Sequence, residues 1–288
     1  MATAATGAIG GRRSADEEDL VGYGTAAAAS TIAESSSLQK LQKSSSIISL
    51  MLSPIAIILV SVWAAELGGV SWKEGESSKV FNWHPILMIC AFSLMNVATL
   101  VFRITDTSSY QTRLDTNSTS SAEHKSKKRV AKTIHGSVWS ISFILGIVAM
   151  MAVVKSHNDA ISGYIANLYS LHSWVGVLVM TLYTLQLMVG LLSFGGFRNR
   201  LTNSPAILEI HKFSGSLLHI LITVTILLGL QEKEGFISCS YSVDSADTMP
   251  FLHLGDIPSS CKISHGLGIV VLLIGILTSF SLARFPRI

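Results

Sequence analysis

Six apolar stretches, each about as long as a bilayer-spanning helix, alternate with polar segments along the chain. They cover approximately 46–65, 84–103, 134–154, 171–194, 208–230 and 263–283. A hydrocarbon core needs about 20 residues of helix, and inside it the backbone has to satisfy its own hydrogen bonds, so each stretch predicts an α-helix. Pro54 lies inside the first and is a candidate kink. Pro85 opens the second, where a missing N–H costs little. The pattern divides the chain into a polar tail (1–45), a six-helix membrane domain (46–283) and a short end (284–288). The tail is rich in Ala, Ser, Thr and Gly, carries an acidic run from Asp16 to Asp19 and lacks the apolar core of a secretory signal. It is expected to be disordered and cytosolic. Composition agrees with a membrane class: 49% of residues are hydrophobic and 14% charged, where soluble domains carry about 25% charge.

Charge then sets orientation. Of the 21 Lys and Arg residues, sixteen fall on one side, in the tail, in the 104–133 loop with Arg103 at its edge, in the 195–207 loop with Lys212 at the start of the next span, and at the C-terminus. The positive-inside rule therefore places both termini in the cytosol. A net charge of +3 gives no reason to expect nucleic acid. Of the three cysteines, none lies in a zinc or iron–sulfur spacing. Cys239 and Cys261 share the outer 231–262 loop, where either a disulfide or two free thiols is chemically allowed.

Ionisable groups inside spans are costly and usually functional. Six of the nine histidines lie in or at the ends of spans. His84, His172 and His265 fall near the outer face, and His135 and His211 near the inner face. His219 lies about 12 Å deeper than His211 along the same helix. Neutral imidazole is a good haem ligand, and two of them close the iron to further ligands. Two histidines toward each face, on four consecutive helices, fit two stacked haem sites. Gly176 and Gly215, one turn after His172 and His211, and Gly136 beside His135 are expected to open space next to the rings. Two other readings remain open: hydrogen-bonded core histidines, and a histidine-lined zinc or proton transporter. His219 and His265 lack a clear partner and fit the core reading, although depth alone leaves His265 eligible as an outer ligand.

Four segments carry a resemblance. They are Asn82-Trp83-His84-Pro85-Ile86-Leu87-Met88, Lys132-Thr133-Ile134-His135, Asn167-Leu168-Tyr169-Ser170-Leu171-His172-Ser173-Trp174 and Ile210-His211-Lys212-Phe213-Ser214-Gly215, followed by Gly229-Leu230-Gln231-Glu232-Lys233. Together they resemble the cytochrome b561 family, ascorbate-reducible transmembrane di-haem cytochromes. The resemblance implies an all-α membrane protein in which spans 2–5 form a four-helix core around two haems b. His84 and His172 would hold the outer haem, and His135 and His211 the inner one. It further implies electron transfer from cytosolic ascorbate to a non-cytosolic acceptor, monodehydroascorbate or ferric chelates, in the plasma, vacuolar or endosomal membrane. A homodimer is among the assemblies open to such a chain.

Lys128, Lys132 and His135 stand at i, i+4 and i+7 and share a helical face. The two ammonium groups, with Arg129 and Arg200 as further candidates, suit a cytosolic entry for the ascorbate anion. Lys155, His157 and Asn158 resemble the family's stretch before the fourth helix. With Asn167 and Tyr169 they suggest an outer acceptor site, where His157 would exchange a proton with the bound acceptor. The 104–133 loop is longer and more polar than the family's usual connection.

The assigned orientation puts the Asn117-Ser118-Thr119 sequon in the cytosol. Endoglycosidase treatment of protein from a glycosylating host is expected to leave its gel mobility unchanged, and a shift would invert the topology.

Overall fold

The computed structural model describes residues 15–105, 118–194, 205–237, 239 and 257–283. Asn117, Arg198, Arg200 and the 284–288 end lie outside them. The chain splits into two units, Met1–Gln42 with Arg284–Ile288, and Lys43–Ala283. In the first, the described residues are helical. The second holds the helical bundle.

The elements are α1 (Ala15–Glu66), α2 (Ser77–Phe81), α3 (Trp83–Ile104), α4 (Ser118–His157), α5 (Leu171–Phe194), α6 (Pro205–Phe236) and α7 (Ser259–Leu282). No strand occurs among the described residues. Among the described residues, six helical segments are long and apolar enough to cross a membrane, in the order the sequence predicts. α1 is continuous through Pro54. Two helices begin well before their apolar stretches, α1 at Ala15 rather than 46 and α4 at Ser118 rather than 134. The reason is that helix propensity does not stop at the hydrocarbon edge. Ala, Lys and Glu are good helix formers, and Glu123 pairs with Lys127 one turn on at 2.7 Å.

α3 packs against α4 and α7, α4 against α5, α5 against α6, and α6 against α7. Trp63, Ile89, Phe92, Met95, Leu267, Val271 and Ile274 are buried in one hydrophobic cluster. Large apolar side chains remain on the outside, among them Ile141, Ile144 and Met151 of α4 and Leu178, Leu185 and Met188 of α5. A belt of this kind is costly in water and expected against lipid.

Hydrogen bonds supply what apolar contact cannot between helices in lipid. Asn96 on α3 is fully buried. Its amide nitrogen donates to Ser49 O (3.2 Å), Ser49 Oγ (3.0 Å) and Ser53 Oγ (3.1 Å) on α1. Its oxygen accepts from Thr278 Oγ1 on α7 at 2.7 Å. Ser45 Oγ donates to Leu277 O at 2.9 Å. This knot fastens α1 and α7 to α3.

The loops at the other end of α3 are fastened by one carboxylate. Asp159, after α4, accepts from Gly75 N (2.7 Å), Ile161 N (2.9 Å), and Ser162 N (3.3 Å) and Oγ (3.1 Å). Gly75 has φ +80°, and a Cβ there would lie 3.1 Å from Ile161 Cγ2, so glycine is needed for this approach. Burial pushes the Asp159 carboxyl up, but those donors outweigh it and hold it below the ordinary Asp range.

Asn96→Leu is expected to destabilise the bundle by about 1–3 kcal/mol, the cost of stranding buried partners, read as a lower midpoint in detergent unfolding. For Asp159, a depressed folded pKa contributes stability that is present above the unfolded value of about 3.9 and lost as pH falls through the folded one. The melting-temperature gap between the native protein and Asp159→Asn should therefore narrow as pH drops below about 4.

Candidate functional site

The fold brings four of the six span histidines together as two pairs. His84 (α3) and His172 (α5) have ring centres 6.1 Å apart with planes at 82°. His135 (α4) and His211 (α6) are 6.3 Å apart at 72°. Each pair joins alternate helices of α3–α6, one pair toward each end of the bundle.

Neighbouring helices set the ring tautomers. His84 Nδ1 lies 3.3 Å from Ala149 O of α4, His135 Nδ1 2.8 Å from Ala98 O of α3, and His172 Nδ1 2.9 Å from Thr225 O of α6. A carbonyl only accepts, so each Nδ1 carries the proton and donates it. Nε2 then keeps its lone pair, the arrangement that orients a metal-binding imidazole. His211 differs, because its Nδ1 is buried without a hydrogen-bond partner among the described residues. Its backbone oxygen accepts from Gln186 Nε2 at 2.7 Å, and Gln186 Oε1 accepts from Ser214 Oγ at 2.8 Å.

These pairs fit bis-imidazole ligation of a haem iron. Once the half-width of each ring is subtracted, about 4 Å remains, the room that two metal–nitrogen bonds of about 2 Å require. Among the described residues no group of three or more metal-ligating side chains occurs, so the pairs do not supply the four donors of a tetrahedral zinc site.

The glycines beside the rings are not the expected ones. A Cβ on Gly229 (α6) would lie 2.7 Å from His172 Cε1, and one on Gly190 (α5) 3.2 Å from His211 Cε1. Gly215 instead faces Gln186, Gly176 has nothing nearer than Thr225 at 4.0 Å, and Gly136 has open space. A residue at i+4 lies a turn along its own helix, whereas a ring directed across the bundle meets the backbone of the adjacent helix.

At the His84/His172 end a polar cluster surrounds the pair. His157 is buried and its Nδ1 lies 3.1 Å from Asn167 Oδ1. Phe81 stacks parallel to His157 at 6.3 Å and lies 5.8 Å from His84. Lys233 Nζ lies 4.6 Å over the Phe81 ring, a cation–π contact. Tyr169 is 6.5 Å from His157 and its hydroxyl donates to Glu232 Oε1 at 2.7 Å. Its phenol pKa is raised by burial and by Glu232. Asn158, just past α4, is exposed, donates to Val154 O of that helix at 2.8 Å and lines a separate groove with Lys155 and Ile161. Phe81, Glu232 and Lys233 join the site without having been singled out for it, because nothing in local spacing links the ends of α2 and α6.

At the other end Phe102 and Trp139 flank His135 at 5.4 and 6.1 Å, and Phe194 flanks His211 at 5.2 Å. Lys128, Arg129 and Lys132 are exposed on α4. His219 is fully buried 5.3 Å from Phe92, with neither ring nitrogen partnered among the described residues, which corrects the hydrogen-bonded core reading for that residue. His265 Nε2 lies 3.5 Å from Glu234 Oε1, outside both pairs. Cys239 and Cys261 form a disulfide.

The family model for eukaryotic cytochrome b561 matches residues 83–237. An ascorbate-specific transmembrane electron transporter of Zea mays is 33% identical over 200 residues, 68% of this chain and 75% of its own. A transmembrane ascorbate ferrireductase of Arabidopsis thaliana is 32% identical over 190 residues, 65% and 70% of the two chains. A plasma membrane ascorbate-dependent reductase of Xenopus tropicalis is 33% identical over 191 residues, 64% of this chain. The chain spans about three fifths of that relative's length, 59%. The family match covers more than half of the chain and takes in all four paired histidines, so this protein belongs to the eukaryotic cytochrome b561 family.

Proposed function

We propose that this protein is an ascorbate-dependent transmembrane oxidoreductase. In this reading His84 and His172 hold a haem b near the outer face, and His135 and His211 hold a second near the cytosolic face. The observation that carries it is the pair of opposed imidazoles at each end of α3–α6, with Nδ1 of three rings already committed to a carbonyl. Haem iron ligated by two imidazoles supplies reversible one-electron transfer and no open position for oxygen.

The residues around the pairs do the rest. Exposed Lys128, Arg129 and Lys132 raise the local concentration of anionic ascorbate at the His135/His211 end. His157, held by Asn167 and flanked by Phe81 and Tyr169, exchanges a proton with the acceptor at the opposite end. Monodehydroascorbate and ferric chelates are the acceptors proposed, the ferric one in keeping with the name of the Arabidopsis ferrireductase. The excess of basic residues at the His135/His211 end supports a cytosolic assignment there. The Cys239–Cys261 disulfide, beside the far end of α6, supports an oxidising compartment at the other.

Anaerobic titration of the purified chain with ascorbate tests the reading. Two haems per chain, both reduced with low-spin α-bands, are expected, and one or none overturns it. Replacing His84 or His172 by Ala should remove the outer haem alone, and replacing His135 or His211 the inner one. Gly229→Ala should act like His172→Ala, because its methyl enters the ring's space. Lys132→Ala should keep both haems and slow ascorbate reduction about fivefold, the effect of about 1 kcal/mol of lost charge attraction.

A further inference from the structure

Between α4 and α5 the chain adopts a conformation that its residues do not favour. Leu168 has φ +57°, and among the described residues it is the one non-glycine with positive φ. A branched side chain there is strained and persists only where the surroundings hold it. The holders are visible. Before Leu168, Asn167 is fixed by His157 (3.1 Å). After it, Tyr169 Oη donates to Glu232 Oε1 (2.7 Å) and Ser170 Oγ to Glu232 Oε2 (2.8 Å). Both carboxylate oxygens of Glu232 are thus spent on two consecutive residues of the strained segment.

The same carboxylate reaches the start of α5. Ser170 and Ser173 form a reciprocal cap, each backbone N–H donating to the other's hydroxyl at 3.2 Å. Trp174 N donates to Ser170 O at 3.2 Å. Glu232 therefore places a negative charge at a helix N-terminus, where the dipole favours it, two residues before His172. Glu232 and Gly229 lie one turn apart on α6, so a single turn of that helix fixes both the ring of His172 and the segment leading to it.

We propose that Glu232 is a positioning residue of the His84/His172 end. It is the two-armed acceptor that holds Asn167–Ser170 in the strained form and aims the Tyr169 phenol beside His157. The inference rests on the acceptor site proposed above and adds the group that assembles it. Tyr169 and Asn167 flank the acceptor, and Glu232 acts through them.

The test uses the full chain with its haems, with Glu232→Ala, Glu232→Gln, Tyr169→Phe and the Tyr169→Phe/Glu232→Ala double variant. Hydrogen exchange of the 167–173 amides is measured beside the KM and kcat for ferric citrate. Glu232→Ala is expected to speed exchange about tenfold, as loss of a charge-assisted hydrogen bond implies, and to raise KM more than it lowers kcat. Glu232→Gln keeps an oxygen for the Tyr169 hydroxyl and should recover part of both. The double variant should be no worse than Glu232→Ala alone, since coupled residues are not additive. Native-like exchange in Glu232→Ala, or additive losses in the double variant, would overturn the proposal. A native chain that binds no haem or is not reduced by ascorbate would instead overturn the parent reading, and the exchange measurement would still decide Glu232.

Discussion

A hydrogen bond from an imidazole N–H to a backbone carbonyl is the interaction on which the site depends. Inside a bilayer a histidine has few ways to satisfy its two nitrogens, and a ring with neither partnered is free to take several rotamers. In three of the four paired rings Nδ1 is bound to the carbonyl of an adjacent helix. That one bond fixes the tautomer, the rotamer and the direction of the free Nε2 lone pair together. It also needs no further polar side chain in hydrocarbon. His84 on α3 uses α4, and His135 on α4 uses α3, so each helix of this antiparallel couple orients the other's ring at the opposite end.

Close helix approach makes those bonds reachable. Gly190 and Gly229 leave space for the rings of His211 and His172, since a β-carbon at Gly229 would meet the imidazole well inside ordinary contact distance and one at Gly190 slightly inside it. Outside the four-helix core, the knot around Asn96 keeps α1 and α7 on α3 by hydrogen bonds whose donors and acceptors are buried. The bundle thus separates two tasks. Apolar helices α4 and α5 present a wide face to lipid, while α1 and α7 shield α3.

The two ends of the bundle are built differently. At the His135/His211 end, aromatic rings of Phe102, Trp139 and Phe194 enclose the pair and the nearby charges are exposed on α4. At the His84/His172 end, loops carry the polar groups and are tied down by carboxylates, Asp159 on one side and Glu232 on the other. Under the proposed function the first end would draw a small anion by charge, and the second would receive its acceptor in a preformed polar cluster. Loops positioned by a rigid scaffold commonly carry such selectivity.

Much of this was legible in the chain itself. Six apolar periods determined six helices, because lipid permits the backbone little else, and the depths of His84, His135, His172 and His211, read with the family resemblance, implied which residues would pair. What local spacing could not reveal was contact between distant segments. Gly229 and Gly190 serve the rings rather than Gly176 and Gly215, and Phe81, Glu232 and Lys233 converge on one end although α2 and α6 are far apart in sequence. His219 falls outside both pairs, tilted against Phe92. Periodicity along one helix reports which face a residue occupies, but which neighbouring backbone that face meets is decided only when the helices pack.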